Sequence, residues 1–139
     1  MTSDVHHDGT DTGGRTRVAT GKVLPPGVPF PDGIRAGGLL FVSGQLGNVP
    51  GQMRLRQGGI APETLQAVLN VRTVLQSHGL DLGDIVRCTV MLRDMGEWHA
   101  FNTAYEAAFT GFPLPARSAF GCAGLALDAR VEIEVTAAS

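Results

Sequence analysis

A chain of 139 residues is long enough for one domain with its own core, needing neither disulfides nor metal to hold it together. Its formal net charge is −2, and Lys22 is the one lysine among 11 basic side chains, which cluster no more densely than Arg15 with Arg17 or Arg54 with Arg56. That leaves no basic stripe for a nucleic-acid backbone, and charged residues at 17%, against about 25% in an average globular chain, predict that some apolar surface meets another subunit.

Residues 1–20 read as a disordered tail ahead of a single domain over 21–139. Met1 to Thr12 is polar and lacks the apolar stretch of a signal peptide, and no apolar run approaches the roughly 20 residues of a membrane span. The reading is therefore of a cytoplasmic protein with no membrane partner. His6 and His7 stand beside Asp8 in that tail, where nothing pre-organises ligands, so no metal site is expected. From Lys22 to Gly33 four prolines (Pro25, Pro26, Pro29, Pro31) predict a stiff extended strap. Ile34-Arg35, a turn at Ala36-Gly37-Gly38 and the apolar run Leu39 to Ser43 predict a hairpin into a central strand that stops at Gly44. Gln45 to Gly59 reads as a loop with a short edge strand near Met53 to Arg56.

Pro62 opens a predicted helix in which Leu65, Val68, Val71 and Leu75 share a face and Gly79 supplies the C-terminal cap. Ile85 to Leu92 predicts a strand with Val86, Cys88, Val90 and Leu92 on one side. Asp94 with Glu97 forms a capping-box pattern before a second helix, faced by Trp98, Phe101, Tyr105 and Ala108 and ending near Gly111. Phe112-Pro113-Leu114-Pro115 breaks it. Two strands remain, Arg117 to Ala123 and, after a turn near Leu127-Asp128, Val131 to Ala137. This order predicts an α+β mixed sheet with two helices packed on one face, leaving the other to be covered by an oligomer. Cys88 and Cys122 lie in apolar segments outside any metal-ligand or redox spacing and read as reduced core residues.

Arg117 is the sharpest candidate. It directly follows a double-proline turn at the start of a strand, so its guanidinium emerges from a rigid base, and its planar fork suits a carboxylate. Spacing alone points rather to an arginine paired with a structural acid at a strand end. Glu132 alternates with Val131 and Ile133 on the last strand and can either position and deprotonate a water or belong to a solvated strand face with Glu134. Ser43 and Gly44 end a strand where a ligand can approach the backbone or where the chain merely turns. Asn102 interrupts an apolar pattern and faces either a cleft or the helix boundary. His78 and His99 have no Ser, Cys or carboxylate partner in sequence, so a catalytic triad is not supported.

Taken together, Phe41-Val42-Ser43-Gly44-Gln45, the helix from Pro62, Val86 to Leu92 with Arg93-Asp94-Met95, Asn102 with Tyr105-Glu106, Pro115-Ala116-Arg117-Ser118 and Val131-Glu132-Ile133-Glu134 resemble the YjgF/RidA family of imine deaminases, also called endoribonuclease L-PSP-like. The resemblance runs from about Pro29 to Ala137. It implies a chorismate-mutase-like α+β fold and a homotrimer with inward-facing sheets and ligand clefts between subunits. It implies hydrolysis of 2-iminobutanoate or 2-iminopropanoate to the 2-oxo acid and ammonia, without cofactor or metal. It gives Arg117 the substrate carboxylate and Glu132 the water, with Ser43, Gly44 and Asn102 lining the pocket. Phe30 stands where the family carries a tyrosine and Ala119 where it often carries a cysteine, which removes a donor and widens the pocket. Those departures keep open a family member acting on a different enamine or imine in a dedicated pathway, and a trimer that binds small carboxylates without turnover.

Overall fold

The computed structural model describes residues 9–11 and 14–139. Strands β1 (Gly9–Asp11), β2 (Arg15–Val18), β3 (Gly33–Ala36) and β4 (Leu39–Leu46) precede helix α1 (Ile60–Gln76). Strand β5 (Ile85–Leu92), helix α2 (Trp98–Ala108) and strands β6 (Ala116–Gly121) and β7 (Val131–Ala138) follow. They form one mixed sheet in the order β1-β2-β3-β4-β7-β5-β6, antiparallel except where β5 meets β6. That parallel pair requires a crossover, which α2 supplies, and α1 likewise returns the chain between β4 and β5. Helix α1 packs on β4, β7 and α2, so both helices lie on one face, as the sequence predicts.

The helix pattern puts Val68, Val71 and Leu75 into the core, where they meet Leu40 and Val42 of β4 and Ile133 and Val135 of β7. Helix α1 begins two residues before Pro62, still within the first turn, where a missing N–H leaves no hydrogen bond unmade. Its end follows the predicted glycine. Gly79 adopts φ +72°, and Leu80 N donates to Leu75 O while Gly79 N donates to Gln76 O, the paired bonds of a Schellman cap. The β3–β4 hairpin turns on Gly37 and Gly38, both at positive φ.

Several local readings change. The tail expected over residues 1–20 gives way to strand at Gly9–Asp11 and Arg15–Val18, the latter paired in register with β3, while His6, His7 and Asp8 lie outside the described residues. Val86 faces solvent rather than the core, because a register shift between Ile85 and Arg87 inserts one extra residue and turns it outward. Near Met53 to Arg56 a single bridge, Asn48 to Leu55, replaces the edge strand. There the Asn48 amide donates to the carbonyls of Val23, Val49 and Gln52 and organises the loop without a ladder. Trp98 is partly exposed at the helix start, and Glu97 leaves the capping pattern to pair with Arg130 at 2.8 Å, while Asp94 caps a 3₁₀ turn through Gly96 N. Cys88 is buried, Cys122 only partly so, and both are free thiols. No helix among the described residues is long and apolar enough to cross a membrane.

The strap is ordered by its ends. Asp32 is buried and accepts from Thr20 N at 2.7 Å and Thr20 Oγ1 at 2.6 Å, while Val23 O accepts from Gly51 N. Across the sheet, Val131, Ile133, Val135 and Ala137 of β7 point to the helices, so Glu132, Glu134 and Thr136 point to the open face. Phe41, Val86 and Phe120 are each exposed by more than two fifths, which makes this side of the molecule unusually apolar.

Candidate functional site

Arg117 lies on β6 opposite Cys88 of β5, and Cys88 in turn opposes Val135 of β7, a core residue. In-register neighbours share a face, so the Arg117 side chain leaves the sheet on the helix side. There its guanidinium carbon sits 4.9 Å from the ring centroid of Tyr105 and 5.4 Å from that of Phe101, both on α2. Among the described residues it makes no ion pair and donates no hydrogen bond, so the alternative of a structural acid partner is not what the chain uses. Pro113 to Pro115 turns the chain into β6 immediately before it.

A recess of about 270 Å³ opens beside the guanidinium, lined by Asn102, Tyr105, Glu106, Leu114, Pro115 and Arg117. Asn102 and Tyr105 stand one helical turn apart, and Asn102 Oδ1 and the Tyr105 hydroxyl are both buried without a hydrogen-bond partner. Such atoms carry a desolvation cost that a ligand or water offsets when it binds. The Tyr105 hydroxyl lies near the Cys88 thiol but without hydrogen-bonding geometry. Burial pushes the Cys88 thiol up to about 11, against the pull of Tyr105 and the Arg117 charge. Burial also raises the Tyr105 phenol, with Cys88 adding to it. Neither group is poised to ionise near neutral pH, and among the described residues Arg117 is the one cation lining the recess, with Glu106 beside it. Ala119, two residues along β6 on the same face, packs against the core and outside the recess lining.

Glu132 belongs to the other side of the sheet. It sits on β7 between Leu46 of β4 and Met91 of β5, and its carboxylate occupies the space over Gly44, where even a methyl group would collide with it. Burial raises its pKa, and the charge of Glu134 raises it further. Gly44 follows Ser43 at a register shift between Val42 and Gln45, an extra residue that lets both Val42 and Gln45 face the core. The Ser43 hydroxyl donates to Pro31 O at 2.8 Å and its N–H to Asp32 O at 2.8 Å, which ties the strap to the sheet. Phe30, one residue before that tie, is 43% exposed and touches neither Arg117 nor its recess.

The sequence candidates therefore fall into two groups. Arg117 and Asn102, with Ala119 nearby, occupy the helix side at the β6 edge. Ser43, Gly44 and Glu132, with Phe30 on the adjoining strap, occupy the open side, and the sheet separates the two groups. The helical pattern makes Tyr105 part of the buried face of α2, and nothing local in the sequence marks its ring beneath Arg117. Among the described residues no cluster of His, Cys, Asp and Glu is arranged to hold a metal ion.

Residues 20–139 match the family described as Endoribonuclease L-PSP. A mouse 2-iminobutanoate/2-iminopropanoate deaminase is 34% identical over 123 residues, covering 88% of this chain and 90% of its own. The crystal structure of the E. coli yjgF gene product superimposes with a TM-score of 0.82 at 31% identity, covering 88% of this chain and 97% of its own. E. coli TdcF, crystallised with bound serine, gives a TM-score of 0.82 at 26% identity, with 88% and 98% covered.

Proposed function

This chain belongs to the Endoribonuclease L-PSP family, the YjgF/RidA proteins, and on that premise we propose that it hydrolyses reactive 2-imino and enamine acids of the 2-iminobutanoate and 2-iminopropanoate class to 2-oxo acids and ammonia. The observation that carries the reading is Arg117, a cation held over two aromatic rings beside a recess, with no acid of its own chain paired to it among the described residues. A guanidinium left in that state matches a substrate carboxylate through two parallel hydrogen bonds. The serine bound by TdcF, a small carboxylate with nitrogen on the adjacent carbon, is chemically close to such a substrate.

Glu132 is the proton carrier in this reading. Its raised pKa suits a group that takes a proton and returns it within one catalytic cycle. Water adds across the C=N bond, oxygen to carbon, and its two protons pass in turn through the Glu132 carboxylate to nitrogen. The C–N bond breaks, the C=O bond forms, and ammonia leaves with the 2-oxo acid. One imine and one water become one oxo acid and one ammonia with no change of redox state, so the balance calls for no cofactor.

Because one chain keeps Arg117 and Glu132 on opposite sheet faces, the proposed site lies between copies. In a homotrimer Arg117, Asn102 and Ala119 of one copy face Ser43, Gly44, Glu132 and Phe30 of the next, and the apolar open face carrying Phe41, Val86 and Phe120 is covered. RNA cleavage, named in the family's description, fits less well. Among the described residues Arg117 is the one cation lining the recess, Glu106 stands beside it, and the chain's net charge is −2.

The test is release of ammonia and 2-oxobutanoate from 2-iminobutanoate generated in situ by an amino-acid oxidase. Wild type accelerates release over buffer, while Arg117→Ala and Glu132→Ala each lose at least about a hundredfold in kcat/KM. The two inactive variants, unfolded and refolded together, recover activity, since random assortment of copies leaves about a quarter of intersubunit sites intact. A wild type no faster than buffer overturns the reaction. Absence of complementation between active-site variants that still assemble overturns the shared site.

A further inference from the structure

An arginine on an edge strand carries a long side chain with several free rotations, and a clamp that must first be ordered binds weakly. In this chain two rings absorb that freedom. Phe101 and Tyr105 stand one turn apart on α2 with centroids 5.5 Å apart, and the Arg117 guanidinium carbon lies 5.4 Å and 4.9 Å from them. Tyr105 is buried and is backed by Phe109 at 4.7 Å between centroids, so the nearer ring is itself fixed from behind. Its hydroxyl has no hydrogen-bond partner and so does not tether Arg117. Stacking covers one face of a guanidinium and leaves its N–H edges open, the arrangement needed for two parallel bonds to a carboxylate.

We propose that Tyr105 is a positioning residue whose ring face, not its hydroxyl, holds Arg117 in the plane that receives the substrate carboxylate; the proposal rests on the reading of Arg117 as a carboxylate clamp. The ring acts on binding through Arg117 and leaves the proton chemistry of Glu132, supplied in the proposed site by the neighbouring copy, untouched. Its signature is therefore a change in affinity without a matching change in kcat.

The experiment compares wild type, Tyr105→Phe and Tyr105→Met. Methionine fills much of the ring's volume without a π face. Each variant is checked by circular dichroism and thermal unfolding, then assayed for 2-oxobutanoate binding by calorimetry and for 2-iminobutanoate turnover. Tyr105→Met is expected to weaken 2-oxobutanoate binding and raise KM by roughly tenfold, with kcat within about threefold of wild type. Tyr105→Phe is expected to recover the affinity that the methionine loses. A methionine variant that binds as tightly as wild type, one that loses kcat alone, or a phenylalanine variant as weak as the methionine variant overturns the proposal. If Tyr105→Met fails to fold, Tyr105→Phe still decides, because a role carried by the hydroxyl weakens its binding and a role carried by the ring does not. A wild type that binds 2-oxobutanoate but does not hydrolyse the imine sinks the deaminase reading and leaves the aromatic shelf standing on the binding results. A wild type that does not bind 2-oxobutanoate overturns both clamp and shelf.

Discussion

Two glutamates, Glu63 on α1 and Glu132 on the open face of β7, have been drawn out of water and treated in opposite ways. Glu63 on α1 is buried, and burial raises its pKa, but Arg130 N donates to it at 2.6 Å and the charges of Arg130 and Arg93 pull back. Gly47 leaves the room its side chain needs. Glu132, one strand position from Val131, is also raised by burial, yet among the described residues its carboxylate accepts no hydrogen bond and the charge acting on it is that of another acid, Glu134. The cations divide the same way: Arg130 pairs with Glu97 at 2.8 Å, and Arg117 pairs with no acid among the described residues. Charges that hold the fold are satisfied within the chain, whereas those left unmatched mark where a ligand is needed to complete them.

Exchanging the two acids for alanine is the strongest way to break this contrast. Glu132→Ala should cost at least about a hundredfold in turnover with little loss of unfolding free energy. Glu63→Ala should retain turnover per folded molecule but lose about 1–3 kcal/mol in urea unfolding, because the partly buried Arg130 N–H loses its carboxylate acceptor. Equal stability losses from both would erase the distinction. Next in size is Gly44→Ala, where the added methyl meets the Glu132 carboxylate and costs roughly 1–3 kcal/mol. Glu132→Ala in the same chain removes the collision, so the double variant should be more stable than Gly44→Ala alone, and strict additivity of the two effects would refute the contact.

The smallest effect is on pH dependence. Glu132 has a folded-state pKa above its ordinary value, so its contribution to stability is fully present below about 4.5, the ordinary value, and is lost as pH rises through the folded pKa. Glu132→Gln, which cannot ionise, should therefore match wild type in acid and exceed it in stability near neutrality. Turnover runs the other way, since the carboxylate must be ionised to accept a proton: the acid limb of wild-type kcat/KM should fall above the ordinary glutamate range. An acid limb at the ordinary value separates Glu132 from the rate.

Much of the architecture was legible because it repeats. The 3.6-residue spacing of Val68, Val71 and Leu75 and the strict alternation of Val131, Ile133 and Val135 each bury one face whatever lies opposite. Glycines that only serve turns, Gly37, Gly38 and Gly79, were legible for the same reason, since their backbone preference is local. Strict alternation misplaces Val86 because a bulge is a relation between two strands, and no window along one strand contains it. Helical spacing alone makes Tyr105 a core residue, and only the tertiary contact between α2 and β6 shows its ring under Arg117.

By itself, then, the sequence determined the two helices and the strands β3 to β7, that Arg117 rises from a proline-stiffened turn, and that Glu132 and Ile133 face opposite ways, because each depends on residues adjacent or a few places apart. Only the tertiary structure decided that Arg117 and Glu132 lie on opposite faces of one sheet, that Gly44 makes room for the Glu132 carboxylate and that Tyr105 underlies the Arg117 guanidinium. Those facts depend on strand order, register and helix packing, which join residues distant in the chain and are set by how the whole core is buried.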